Sequence, residues 1–214
     1  MNTSLTGIYG ILPSDLEKHD LLVRAEAALK GGVRILQYRD KNQGYKRAIE
    51  RARNLRSLTR RYDALFIVND SVQLALDSDA DGVHLGRSDA PNLTQLRMHV
   101  GNDLIVGISC QGDAAFAQQA LNHGADYVSF GAMFPTASKS DAVVIGLPRL
   151  AKARRMFPDQ NIIAIGGITL ENVQRVRQAG ADSAAVLAAL FEPETGIEER
   201  ARRMIHTWEQ AAAA

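Results

Sequence analysis

Tyr127-Val128-Ser129-Phe130 runs straight into Gly131-Ala132-Met133-Phe134-Pro135-Thr136-Ala137-Ser138-Lys139. The first four residues read as a buried strand. The next nine suit neither helix nor strand: a glycine, a proline, two spaced hydroxyls and a lysine. That composition suits a loop wrapped around an anion, because glycine admits close backbone approach, hydroxyls donate and lysine supplies charge. Taken in isolation the loop fits an ordinary strand-to-helix connection equally well. Its neighbours decide the matter.

Upstream, Leu104 to Ile108 is a strand that ends at Ser109, and Gly112 to His123 is helical. Before them, Asp81 to Gly86 is a brief strand, and Asp89-Ala90-Pro91 starts a helix, with proline in its first turn. Leu65 to Val68 is an apolar run suited to a strand covered on both faces. It stops at Asn69-Asp70. Val33 to Tyr38 and Gly7 to Leu12 are the two strands nearest the N-terminus. Ser14 and Glu17 fit a capping box for a helix that ends at Gly31-Gly32, and a basic helix spans Tyr45 to Tyr62. Downstream come a helix over Leu147 to Phe157, a strand over Asn161 to Ile165 closed by Gly166-Gly167, and a helix capped by Thr169. A strand over Ser183 to Leu187 and a helix over Glu194 to Gln210 complete the chain.

Strand and helix patterns thus alternate eight times through short connections. Such alternation predicts a parallel sheet flanked by helices. Eight units with no linker between them predict closure into one (β/α)8 TIM barrel, a single domain over 1–214 with 211–214 as a frayed tail. Gly-Ala-Asp precedes two strands, at 124–126 and 180–182, and Asp79-Ala80-Asp81 is a looser copy before a third.

The 214 residues are 46% apolar and carry a net charge of about +1, with both signs dispersed. No field favouring nucleic acid or a membrane surface is implied. One cysteine, Cys110, excludes an internal disulfide, and no signal peptide or membrane span is visible. The expectation is a cytoplasmic globule. A homo-oligomer is compatible with the sequence but not specified by it.

In a barrel of this kind the C-terminal ends of the strands meet at one face. There the sequence places Gln37, Arg39, Lys41, Asn69, Asp70, Asp89, Ser109, Thr136, Ser138, Lys139 and the Gly166-Gly167 pair. Asp70 and Asp89 could share Mg²⁺, which takes one or two carboxylates together with water and substrate phosphates. Asp89 is equally placed to cap the helix it precedes. Arg39, Lys41 and Lys139 could grip a diphosphate, or be solvated surface charge. Backbone N–H groups after the last two strands lie where such barrels commonly seat a phosphate. His84 reads as core or as a supporting group, Cys110 as a small buried thiol, and Trp208 as packing.

Six segments in register carry a resemblance. They are Gln37 to Lys41, Asn69-Asp70, Asp81 to Gly86 with Asp89, Gly107 to Ser109, Phe134 to Lys139 and Ala164 to Ile168. Together they resemble the thiamine phosphate synthase family. The resemblance implies a Mg²⁺-dependent transferase with two small phosphorylated substrates. It joins a hydroxymethylpyrimidine diphosphate to a thiazole phosphate and releases pyrophosphate. Carried over by position, Gln37, Tyr38, Arg39, Asp40, Lys41, Asn69, Ser109 and Lys139 hold the pyrimidine diphosphate. Asp70 and Asp89 hold Mg²⁺. Thr136, Ala137, Ser138, Gly167, Val186, Leu187 and Ala188 hold the thiazole phosphate. Arg39, Lys41 and Lys139 are the expected catalytic cations.

The chain departs from the family pattern in places. Tyr38 stands where leucine is frequent, Ser138 replaces a threonine, Ala188 replaces a serine, and 140–145 lacks a proline. Two other readings stay open. A thiazole tautomerase shares the barrel but wants a histidine near the sixth strand's loop, where this chain has Ala132-Met133-Phe134. A non-catalytic phosphate-binding barrel would fit the loss of the serine and the proline.

Overall fold

A computed structural model describes residues 4–39, 44–88, 92–136, 143–192 and 196–212. In chain order the elements are β1 Gly7–Ile11, α1 Lys18–Lys30, β2 Ile35–Tyr38, α2 Tyr45–Arg61, β3 Leu65–Asn69 and α3 Val72–Asp77. There follow β4 Gly82–Leu85, α4 Leu93–Val100, β5 Ile105–Gln111, α5 Ala114–Asn122, β6 Tyr127–Gly131 and α6 Gly146–Met156. The last are β7 Asn161–Ile165, α7 Val173–Gln178, β8 Ser183–Val186, α8 Ala188–Phe191 and α9 Ile197–Ala212. All strand pairs are parallel, and β8 returns to β1, closing the barrel in sequence order. The expected (β/α)8 architecture is what the chain adopts.

Side-chain alternation along each strand sorts the apolar residues into two layers. Tyr9, Ile11, Ile35, Leu65, Ile67, Tyr127, Ile163 and Ala185 fill the barrel interior. Their strand neighbours, such as Leu36, Phe66, Val106, Val128 and Ile162, pack outward against the helices in a larger cluster. Strands covered on both faces explain the continuous apolar runs in the sequence.

The recurring Gly-Ala-Asp turn has a structural cause. Asp81, Asp126 and Asp182 precede β4, β6 and β8, and each carboxylate accepts a backbone N–H from the strand before it: Phe66 at 2.8 Å, Val106 at 2.7 Å and Ile162 at 2.8 Å. Each also takes an arginine from a neighbouring helix: Arg56, Arg97 and Arg154 respectively. The turn needs a positive φ, which Gly124 and Gly180 supply at 97° and 100°. The looser copy uses Asp79 at 55°. These clamps lie at the N-terminal ends of the strands, the face of such barrels that serves stability.

Several local expectations are corrected. Asp15 takes φ 68°, so no helix begins at Ser14; α1 starts at Lys18 with Glu17 as an N-cap that makes no side-chain bond. Asn92 caps α4 by accepting the Gln95 N–H at 3.0 Å. That removes the need for Asp89 in that role, and Asp89 lies outside the described residues. Asn172, not Thr169, is the N-cap residue of α7. β5 continues past Ser109 through an irregularity in its pairing with β6. The short α8 was not foreseen, and α9 runs to Ala212.

Candidate active site

Strand parity decides which side chains enter the mouth of the barrel. On β2, Ile35 points in, Leu36 out, Gln37 in and Tyr38 out, so the next residue, Arg39, points in again. A cavity of about 910 Å³ opens above the interior layer at the C-terminal ends of the strands. Gln37, Arg39, Asn69, Ser109, Thr136, Gly167, Val186, Leu187 and Ala188 all border it. Residues separated by up to 151 positions in sequence therefore share one rim, as the barrel topology demands.

Two expectations fare differently. The Tyr38 ring is 2% exposed and packs in the outer layer, on the face of β2 opposite to Gln37. Asp70 is exposed at the end of β3, with φ 64° and its N–H donating to the His84 carbonyl at 2.8 Å. It stands beside Asn69 but does not border the cavity. Asp40, Lys41, Asp89, Ala137, Ser138 and Lys139 lie outside the described residues.

The cavity floor is a chain of uncharged polar groups. Gln37 Nε2 donates to Tyr9 Oη at 2.8 Å, Tyr9 Oη lies 3.2 Å from Tyr127 Oη, and His84 Nδ1 lies 3.0 Å from Tyr127 Oη. The His84 and Tyr127 rings stack with 5.6 Å between centroids, and Tyr9 meets Tyr127 edge-on. Burial pushes the His84 pKa down to about 4 and raises those of both tyrosines. At neutral pH every member is therefore neutral. Burial also pushes the Cys110 thiol up to about 12, so it is no nucleophile.

One wall is built from two loops fused together. After β6, Met133 N–H donates to the Ile165 carbonyl at 2.9 Å and Phe134 N–H to that of Gly166 at 3.0 Å. Gly167, at φ 65°, fits only as glycine: a Cβ would fall 2.4 Å from the Pro135 oxygen. Asn172 braces the same loop, accepting the Thr169 N–H at 2.8 Å and donating to the Gly167 carbonyl at 3.0 Å. Thr136, Gly167 and Leu187 thus follow β6, β7 and β8 on one side of the mouth, with Arg39 just after β2, Asn69 on β3 and Ser109 on β5 making up the rest.

Comparison with known proteins fits this arrangement. A family model described as thiamine monophosphate synthase matches residues 8–190. The chain belongs to that family. A protein named thiamine-phosphate synthase from Thioalkalivibrio sulfidiphilus is 45% identical over 200 residues, covering 92% of this chain and 93% of the relative. One of the same name from Methylobacillus flagellatus is 44% identical over 200 residues, covering 93% of each. The solved thiamine phosphate pyrophosphorylase from Pyrococcus furiosus superposes with a TM-score of 0.86 at 34% identity, covering 97% of this chain and 98% of that one. Membership makes this protein an enzyme, a transferase of thiamine biosynthesis on a TIM barrel.

Some features of this synthase-family cavity escaped the sequence reading. Tyr9, Tyr127 and Ser129 border it, yet none of them lies at the C-terminal end of its strand. Counting back by two from Gly131 would have found Ser129 and Tyr127. Arg87 and Arg149 also border the cavity. Arg87 pairs with Asp113 at 2.6 Å and lies 4.1 Å from the Phe116 ring centroid. No helix among the described residues is long and apolar enough to cross a membrane.

Proposed function

We propose that this chain joins hydroxymethylpyrimidine diphosphate to thiazole phosphate, releasing pyrophosphate, with the two substrates held on opposite sides of the cavity. The observation that carries this reading is the division of the mouth: Arg39 just after β2 with Asn69 on β3 and Ser109 on β5, and Thr136, Gly167 and Leu187 on the loops after β6, β7 and β8. The first set offers a guanidinium fork and neutral donors for a diphosphate and its ring. The second offers a hydroxyl and backbone N–H groups for a single phosphate, at the position where these barrels commonly bind one. Ala188 contributes there through its backbone. Lys41 and Lys139 belong to the proposal as further cations, Asp40 as part of the same segment, and Ala137 and Ser138 as part of the phosphate loop.

Mg²⁺ fits the chemistry of the donors. Asp70 is an exposed carboxylate next in sequence to the cavity-lining Asn69, and Asp89 would be its partner. No cluster of three His, Cys, Asp or Glu exists among the described residues. When bound, Mg²⁺ neutralises charge on the departing pyrophosphate.

The reaction is a dissociative substitution. The bond from the exocyclic carbon to the diphosphate oxygen breaks, and its electron pair leaves with pyrophosphate. The aminopyrimidine ring spreads the positive charge. The thiazole nitrogen then forms the new C–N bond to that carbon. Arg39 stabilises charge on the leaving group, and the walls hold the reactants in line. No side chain must transfer a proton, which agrees with a floor of neutral groups. The tautomerase reading lacks support here, because Ala132 and Met133 are buried apolar residues and bring no proton-transfer group to the β6 loop. A cytoplasmic setting, with a single cysteine, is part of the proposal.

Incubation with both substrates and Mg²⁺, monitored for coupled product and pyrophosphate, tests the reading. Binding of both substrates without product would instead leave a phosphate-binding barrel.

A further inference from the structure

β6 directs Tyr127, Ser129 and Gly131 toward the interior, and all three border the cavity. Ser129 is 3% exposed, and its Oγ has no hydrogen-bond partner among the described residues. Below it, the Gln37–Tyr9–Tyr127–His84 chain is already bonded within itself. A buried hydroxyl without a partner carries a desolvation penalty, and alanine would fill the same space without it. A serine at this position is accounted for by a partner that arrives with a ligand.

We infer that the Ser129 hydroxyl bonds the aminopyrimidine ring of the bound diphosphate substrate, as a specificity contact at the bottom of the cavity. The inference rests on the reaction proposed above. Its register neighbour on β5 is Ser109, which that proposal gives to the same substrate, while its neighbour on β7 is the apolar Ile163. Of the two heterocycles only the aminopyrimidine presents both N–H donors and ring-nitrogen acceptors, and a hydroxyl can satisfy either. The thiazole nitrogen must keep its lone pair for attack, so a hydroxyl donating to it would oppose the reaction. The substrate's ring is thereby read by a side chain that touches neither phosphate.

Calorimetric titration of each substrate separately, with Mg²⁺, into wild type and Ser129→Ala tests this. Melting temperatures of the unliganded proteins and steady-state kinetics accompany the titrations. Ser129→Ala should bind the pyrimidine diphosphate about tenfold more weakly and show a similar rise in its KM. Thiazole phosphate affinity should be unchanged, and the unliganded melting temperature equal or higher. Unchanged pyrimidine diphosphate affinity, or a loss confined to thiazole phosphate, overturns the inference and leaves the synthase reading intact. Parallel loss of both affinities with a lower melting temperature assigns Ser129 to packing and also overturns it. A wild-type protein that binds neither substrate overturns both readings.

Discussion

Gly107 and Tyr127 are register partners across β5 and β6, and a Cβ on residue 107 would fall 1.9 Å from Cζ of the tyrosine ring. The absent side chain on one strand is the space that the ring on the next strand occupies. The ring is wholly buried, stacked on His84 and hydrogen-bonded through its hydroxyl, so it has nowhere to retreat. Gly107→Ala should therefore lose at least about 3 kcal/mol of stability, the upper end of ordinary overpacking. In a Tyr127→Ala background, itself destabilised, the same change should cost less than about 1 kcal/mol. Urea unfolding of the four proteins checks both values. Equal costs in the two backgrounds would refute the contact.

Arg39 is the cation among the described residues that the proposed mechanism places on the leaving group. Arg39→Ala should lower turnover by roughly a hundredfold, as expected for one electrostatic contact to developing charge. Arg39→Lys should recover only part of this, because an ammonium lacks the planar fork. Melting temperature should hardly move in either. Pyrophosphate release at saturating substrates gives the answer, and wild-type turnover in Arg39→Ala would remove the residue from the mechanism.

The carboxylate of Asp182 serves two donors at once, the Ile162 N–H and the Arg154 guanidinium, at the end of the barrel away from the cavity. Its side chain is 25% exposed, so the pair is partly screened. Asp182→Ala strands a backbone donor and should cost about 2 kcal/mol. Turnover by the folded fraction should be unaffected. Thermal unfolding alongside activity separates the two effects.

His84 sets a direction for stability against pH. Its folded pKa of about 4 lies below the ordinary histidine value, because burial disfavours the charged ring. The unfolded chain therefore binds more protons than the native one between about pH 6.5 and 4. Stability should be full above that window and fall as pH drops through it. His84→Gln should flatten the dependence. Urea midpoints at pH 7 and 4.5 measure it, and identical slopes in both proteins would contradict the burial of the imidazole.

What the sequence discloses here is what periodicity and punctuation encode. β3 and β7 are near-continuous apolar runs that end in Asn69 and in Gly166, so the strands and the residues at their tips could be read directly. Parity at the end of β2 could be read as well. Gln37 and Arg39 follow from their alternate positions, whereas Tyr38 enters only through the family resemblance, which carries the whole 37–41 segment and takes no account of which way each side chain faces. Caps failed where two candidates lay close together. Asn92 and Asp89 both precede α4, and backbone geometry, which local composition does not specify, selects Asn92. Tyr9 and Tyr127 are illegible as a pair, because β1 and β6 are not neighbouring strands and the two hydroxyls, 118 residues apart, meet only inside the closed barrel.

The interior layer of Leu5, Ile35, Leu65 and Ile67 plugs the barrel beneath the tyrosines. With that end filled by side chains, the described cavity is reached from the face at the C-terminal ends of the strands, so substrates and products share one doorway.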